Sequence, residues 1–317
     1  MSTRQDRLIQ WLLGSLDLQT TLFHLGQYCG SWKATTAGLA QAGFHVILHG
    51  DCWLHLTETG HQQALQAGDA VFFLRDVPHL LSPHEDPEAA AQAPRKPMAA
   101  IDLSASCNTA LACGFFEFRA PLNQVFLASL PAYVIVSRQR QELREIRPLF
   151  DLNLTEVRQG ADQPSPLITR LVDLMFFYVV RHLCQRQEVR EGLWAVLARP
   201  EFAPLLEAIV QQPGRDWSVE SMAELTHMSR TKFFKLFAQA AGTSPSHFLA
   251  QIRMQLASQW IGEGMPLARA AEKVGYQSDA AFSRAFKKIT GTLPGALRRA
   301  AGNGTFEQEN GTFKPGS

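Results

Sequence analysis

Between Trp217 and Arg299 the chain writes one small helical device twice, about fifty residues apart, and nothing else in its 317 residues restricts the fold so much. In the first copy Ser218 is placed to cap a helix predicted over Val219 to His227. Ser229 then caps a second helix, Arg230 to Ala241, whose Phe233, Leu236, Phe237 and Ala240 recur at the spacing of one buried stripe. Gly242 suits a left-handed C-terminal cap, and Pro245 forbids continuation. In the second copy Pro266 opens a helix through Leu267, Ala270, Ala271 and Val274, and Gly275 supplies the turn. Ser278 is the next cap, Phe282, Ala285, Phe286 and Ile289 are the stripe, and Gly291 and Pro294 end it. Two short helices joined by a tight turn, the second capped and basic, make the helix-turn-helix pattern.

Charge follows the same division. The segment from Arg215 to Arg299 carries about +6, whereas the whole chain carries +1. That asymmetry belongs to one module that binds double-stranded DNA. On the first recognition helix Arg230, Thr231, Phe234 and Lys235 are predicted to face the groove, with Phe233 and Phe237 turned inward. Thr231 and Phe234 suit thymine methyl groups, and Lys235 a guanine edge or a phosphate. Phe234 has an equal alternative as a half-buried packing residue. On the second helix Asp279, Ala280, Ala281 and Arg284 take the same places. Arg284 is the candidate for bidentate guanine recognition, while Lys232, Lys287 and Lys288 hold phosphates and set the salt dependence.

These residues resemble the AraC/XylS family of bacterial transcription regulators. The resemblance rests on Leu225 to Met228 before Ser229-Arg230, on Gly242-Thr243-Ser244-Pro245, and on Ala271 through Ser278. Phe282-Ser283-Arg284-Ala285-Phe286-Lys287, Gly291 and Pro294 complete it, over about a quarter of the chain. It implies an all-helical domain of two lobes, joined by a helix from about Ser246 to Ile261. Each lobe then places one recognition helix in successive major-groove segments on one face of the DNA. It further implies RNA polymerase as a partner and a role in transcription, read here as activation.

Upstream, the period changes. Met1 to Leu18 reads as an amphipathic helix with Leu8, Ile9, Leu12, Leu13 and Leu16 on one side. Short strands with Gly and Asp turns follow: Leu22–Cys29, Phe44–His49, Cys52–Thr57, Gln62–Leu65, Ala70–Leu74, Met98–Leu103 and Leu111–Phe118. Such spacing predicts an antiparallel sandwich or barrel. Glu85 to Pro97, rich in Ala and Pro, reads as a loop. The five cysteines, Cys29, Cys52, Cys107, Cys113 and Cys184, form no CxxC pair and predict neither disulfides nor a zinc knuckle. Charges near the start argue against a signal peptide, and Arg170, Asp173 and Arg181 interrupt the most apolar run, so a soluble cytoplasmic protein with no membrane partner is expected.

Cys29-Gly30-Ser31-Trp32, Phe44-His45-Val46, Gly50-Asp51-Cys52-Trp53-Leu54 and Cys113-Gly114-Phe115-Phe116 resemble the cupin-type sensor domain that precedes some AraC-type DNA-binding domains. The resemblance implies control by a small effector, with His45, Trp53, His79 and Phe115 as its candidate contacts. His79 stands eleven residues after Gly68, where metal-binding cupins place a histidine, but Gly38-Leu39-Ala40 occupies the region of their His-x-His pair. His45, His79 and Cys113 would suit zinc, since imidazole and thiolate together do so, although no cofactor is required. The plain alternative makes both histidines hydrogen-bonded barrel residues and Cys113 a small buried hydrophobe.

The expected architecture is therefore α+β: a cupin-like antiparallel β-barrel over 1–135, a helical connector over 136–194, an all-α double helix-turn-helix domain over 195–300 and a disordered tail over 301–317. The connector holds a long helix with Leu167, Leu171, Leu174, Met175, Tyr178, Val179 and Leu183 on one stripe that packs in part on the barrel. A helical pair in this place resembles the family's usual dimerisation element, which implies a homodimer. Glu188 to Pro200 reads as a linker anchored by Trp194, and Phe202 to Val210 as a lead-in helix. The functional reading is a DNA-binding transcription regulator, not an enzyme, controlled by an effector in the barrel. Two alternatives stay open: an effector-blind regulator whose barrel, filled by Trp53, Phe72, Phe73, Phe115 and Phe116, only dimerises or docks partners, and a metal-dependent cupin enzyme.

Overall fold

A computed structural model describes residues 3–15, 18–39, 42–101, 108–118, 122–137, 146–158, 166–186, 189 and 191–299. Cys107 and the expected tail at 301–317 lie outside the described residues. The elements group into two units.

One unit holds eight strands: β1 (Leu18–Cys29), β2 (Ala42–His49), β3 (Asp51–Leu56), β4 (His61–Gln66), β5 (Ala70–Phe73), β6 (His79–Ser82), β7 (Asn108–Phe118) and β8 (Tyr133–Val136). Their ladders are antiparallel and form a five-stranded sheet, β1-β7-β2-β5-β8, and a three-stranded sheet, β4-β3-β6. Alternate residues of both sheets meet in one core that includes Tyr28, Trp32, Ile47, Leu54, Leu56, Val71, Phe73, Leu81, Leu111 and Cys113. The unit's helices are α2 (Pro87–Gln92), α4 (Arg147–Arg158) and α5 (Pro166–Gln185).

The other face of the five-stranded sheet is equally apolar because α5 covers it. Phe116 packs on Phe176 of α5 at 4.7 Å between ring centroids, and Phe44 lies 5.0 Å from Phe116. Phe72 is 6.4 Å from Phe176. Phe72 and Phe116 therefore lie outside the barrel, under the helix, and only their neighbour Phe73 belongs to the interior core. A Cβ on Gly114 would come within 2.2 Å of the Phe44 ring, so this sheet admits no side chain there.

Three local expectations need correction. The Glu85–Pro97 segment contains a helix, α2, because Asp86 accepts a hydrogen bond from Ala89 N and Pro87 opens the first turn. Residues 98–101 form no strand; Ala99 makes an isolated bridge to Gln27. The expected linker holds α6 (Leu193–Ala198), all six of whose residues are buried.

The second unit is helical: α1 (Thr3–Ser15), α3 (Asn123–Leu127), α6, α7 (Ala203–Gln211), α8 (Val219–Leu225), α9 (Arg230–Ala241), α10 (Pro245–Gly262), α11 (Leu267–Lys273) and α12 (Asp279–Thr290). Residues of the expected span 1–135 fall in both units, α1 and α3 with the helices and the strands with the sheets. Helix α1 packs on α6, α7 and α10, with Leu8, Ile9, Leu12 and Leu13 buried. Arg4 and Arg7 both pair with Glu207, at 2.8 and 3.1 Å, and Gln5 donates to Leu197 O at 3.1 Å. At its far end the fully buried Gln255 of α10 donates to Ser15 O. Trp194 is fully buried and donates through Nε1 to Phe126 O at 2.9 Å. The expected connector divides in the same way: α4 and α5 belong with the sheets, α6 with the helices.

Candidate nucleic-acid interface and barrel cluster

Each recognition helix begins and ends as its sequence dictates. Ser229 caps α9 by accepting from Lys232 N at 3.3 Å, and Gly242 ends it at φ 64°. Ser278 caps α12 by accepting from Ala281 N at 3.2 Å, and Gly291 ends it at φ 77°. Ahead of α9, Ser218 and Ser221 form a reciprocal capping box on α8. The second helix-turn-helix copy has no such cap on its first helix, since Pro266 occupies the N-cap of α11 without a side-chain bond.

The aromatic stripes hold these helices down. Phe233 and Phe237 pack on each other at 5.2 Å, and Phe237 meets Phe202 at 5.2 Å and Phe248 at 5.0 Å. In the second unit Phe282 meets Phe286 at 5.5 Å and Tyr276 at 5.7 Å. With one face fixed, the opposite face is bare. Arg230, Thr231, Lys232, Phe234 and Lys235 are exposed on α9; Asp279, Ala280, Arg284, Lys287 and Lys288 are exposed on α12, with Ala281 half-buried. Phe234 is 47 % exposed. An exposed phenylalanine between Thr231 and Lys235 offers an apolar face of the kind that thymine methyl groups fill.

Arg230 is not free. Its Nη1 lies 2.8 Å from Glu220 Oε1 on α8, so this predicted DNA contact carries a carboxylate with it. The Glu220 carboxyl is held below its ordinary range, first by hydrogen bonding at its own backbone amide and then by Arg230.

In the barrel unit, His45, His79 and Cys113 come together as predicted, but in a line. Cys113 Sγ lies 3.0 Å from His45 Nδ1, and His45 Nε2 lies 3.0 Å from His79 Nε2. His79 Nδ1 donates to Val77 O at 2.7 Å, which leaves its Nε2 as an acceptor. His45 Nε2–H then donates to it, and the Cys113 thiol donates to His45 Nδ1, so one tautomer satisfies every atom of the line. Thr36 Oγ1 stands 3.4 Å from His45 Nε2 and 3.3 Å from His79 Nε2. Phe73 stacks on the His79 ring at 3.9 Å. Burial keeps the line neutral: it holds His45 well below its ordinary 6.5, with His79 adding to the effect, lowers His79 and raises the Cys113 thiol.

That geometry does not fit one zinc ion held by all three residues. Cys113 and His79 meet opposite nitrogens of one imidazole ring, so no single ion can touch both while His45 binds it. Among the described residues no group of three or more His, Cys, Asp or Glu side chains is arranged to hold a metal.

The other two candidate contacts part company. Phe115 lies two residues along β7 from Cys113 and so on the same face of the strand, half-buried. Trp53 lies on the opposite face of β3 from Cys52 and Leu54, which belong to the interior core, and so does not line the cluster. Sequence reasoning missed Thr36, which touches both histidines. Its only signal was its place in the stretch before His45, where the His-x-His pair is missing.

Comparison with known families agrees with both halves. Residues 7–185 match the family described as "Cupin", and residues 222–300 match the one described as "Helix-turn-helix domain". A Haemophilus influenzae protein named as an uncharacterized HTH-type transcriptional regulator is 29 % identical over 86 % of this chain and 92 % of its own. The RCS-specific HTH-type transcriptional activator RclR of Escherichia coli is 28 % identical over 80 % of this chain and 83 % of its own. The C-terminal domain of AraT, a response regulator from Geobacillus stearothermophilus, is 32 % identical over 32 % of this chain and 86 % of that one, with a TM-score of 0.30. With a cupin match across more than half its length and a helix-turn-helix match behind it, the chain belongs to the AraC-type DNA-binding transcription regulators that carry an N-terminal cupin domain, and it is a regulator rather than an enzyme.

Proposed function

We propose that this regulator reads a specific DNA sequence with both α9 and α12 and that a small neutral molecule, acting at the barrel cluster, changes its affinity. One observation carries the DNA reading: both capped helices bury an aromatic stripe and leave a bare face of basic, hydroxyl and apolar side chains. Arg284, Thr231, Phe234, Lys235 and Asp279 address bases; Lys232, Lys287 and Lys288 address phosphates. Arg230 reaches the DNA once Glu220 releases it.

The effector reading rests on the cost of burying polar groups. A histidine pair, a threonine and a thiol meet at the centre of an apolar barrel, where their mutual hydrogen bonds offset the cost of burial and where they can exchange partners with a ligand. Because the line is neutral, the effector it suits is an uncharged hydrogen-bonding molecule rather than an anion. It acts only through unequal affinity for two states of the protein. A second reading has its own support: the cluster is already hydrogen-bonded and packed by Phe73, as in an effector-blind barrel that dimerises or docks partners. Activation is supported by the name of the Escherichia coli relative, and RNA polymerase is the partner that an activating role requires. A homodimer through α4 and α5 is supported by the exposed Leu152, Leu167 and Leu174 on those helices.

Binding of the full chain to a duplex selected from a randomised library tests the DNA reading. Arg284→Ala should cost on the order of 1–3 kcal/mol and relax the preference at one base pair, whereas Lys288→Ala weakens all duplexes alike. Uniform loss in both variants would sink sequence reading by α12. His79→Gln decides the barrel question: an unchanged response of DNA binding across a small-molecule panel that affects the wild type removes the cluster from effector recognition.

A further inference from the structure

Arg253 lies midway along α10, the helix that joins the two helix-turn-helix units, and its half-buried guanidinium is engaged by the protein's own backbone. Nε donates to Pro213 O at 2.7 Å, and Nη2 donates to Arg215 O at 2.9 Å. Both carbonyls belong to the segment 212–217 that leads into α8. That segment is braced: Trp217 Nε1 donates to Gln212 O at 2.9 Å, and the Arg215 guanidinium lies 4.8 Å from the Trp217 ring centroid.

Gly214, between the two accepting residues, presses on the turn of the second unit. A Cβ there would stand 2.7 Å from Lys273 O and 3.2 Å from Gly275 N. Reciprocally, a Cβ on Gly275 would stand 2.8 Å from Gly214 O and 3.3 Å from Arg253 Nη2. The lead-in of the first unit and the turn of the second thus meet backbone to backbone, with the guanidinium beside them. Arg253 is half-buried; burial lowers its pKa, with Tyr276 and Asp216 opposing that effect.

We propose that Arg253 is a positioning residue for DNA recognition: by clamping the Gly214–Gly275 contact it fixes α9 relative to α12 and so sets the spacing between the two boxes of base pairs that one chain accepts. A helix joined to each unit at one end leaves both units able to pivot about it. A second contact between the units removes that freedom. Two modules on a stiff connection act as one ligand for the spacing that matches it and lose that advantage when the connection loosens. The proposal rests on the reading that both α9 and α12 enter the groove.

The test is selection from a library of randomised duplexes by the full chain, in wild type, Arg253→Ala and Arg253→Lys. Wild type should return two boxes at one spacing, with centres about 10 base pairs apart. Arg253→Ala should return the same boxes at several neighbouring spacings and bind the wild-type duplex on the order of tenfold more weakly. Arg253→Lys keeps the charge and the stem but cannot bridge both carbonyls; it should move in the same direction, and it supplies the result if the alanine variant does not fold. A folded variant that keeps the single spacing overturns the clamp. A single box from the wild type overturns instead the two-helix reading beneath it, and the clamp with it.

Discussion

His227 and Gly275 take the same left-handed backbone conformation at the same place in the two helix-turn-helix units, with φ of 54° and 85°. Each is followed by a residue whose amide reaches back to the preceding helix: Met228 N to Ala223 O at 3.1 Å, and Tyr276 N to Ala271 O at 3.0 Å. Only the first unit places a side chain at that position, and its turn is one residue shorter before the next capping serine.

The first unit therefore stores strain that the second does not. His227→Gly should raise stability by about 1 kcal/mol in urea unfolding, since the His227 side chain is exposed and glycine takes a positive φ without the cost of a Cβ. Gly275→Ala should lower it by on the order of 2 kcal/mol, because the new Cβ adds a clash with Gly214 O to the same backbone cost.

Acid should loosen the barrel unit through its histidines. Both His45 and His79 are neutral in the fold with pKa values held below the ordinary 6.5 by burial, so the unfolded chain takes up their protons first. Stability is complete above about pH 6.5 and falls as pH drops toward the folded values, by up to roughly 1.4 kcal/mol per pH unit for each group. Melting temperatures of the barrel transition between pH 7.5 and 5 should fall more steeply in the wild type than in His79→Gln. Equal slopes would remove His79 from the effect.

Trp194 separates packing from hydrogen bonding. Trp194→Phe keeps most of the ring and removes one of two hydrogen bonds to Phe126 O, leaving the one from Ser129 Oγ at 3.1 Å, at a cost of about 0.5–1.5 kcal/mol. Trp194→Ala should cost about 3–5 kcal/mol by opening a cavity among fully buried neighbours. Similar losses in the two variants would show that the hydrogen bond, not the ring, is what matters.

Glu220→Gln should leave melting almost unchanged, because its ion pair with Arg230 is largely in solvent. DNA binding should strengthen, with the slope of log affinity against log salt steeper by about one counterion. An unchanged slope would mean that Arg230 never reaches a phosphate.

How much of this was written in the sequence depends on the range of the interactions. Helices α9 and α12 start and stop where Ser229, Gly242, Ser278 and Gly291 say they should, because caps act within one turn. The line from Cys113 through His45 to His79 was legible as a cluster but not as a line, since ring orientation is fixed by Val77 O and by packing on Phe73. Phe72 and Phe116 misled because α5 buries the second face of their sheet, and a sheet apolar on both faces shows no alternation. Helix α6 misled for a related reason: all six of its residues are buried, so it has no polar side to reveal a period. Trp53, by contrast, was readable: Cys52 and Leu54 fix the inward parity of β3, and Trp53 has the other.

Helix α1 precedes every strand of the barrel unit along the chain, yet its partner α10 follows some 240 residues later, after all of them. During synthesis Leu8, Ile9 and Leu12 have nowhere to pack, and Gln255, the buried residue that meets Ser15, is not yet made. The helical unit thus closes only after the chain between α1 and α10 has been built. A fragment begun at residue 195 would bypass that order and also leave bare the surfaces of α7 and α10 that α1 covers, so its behaviour would describe an opened unit rather than the native one.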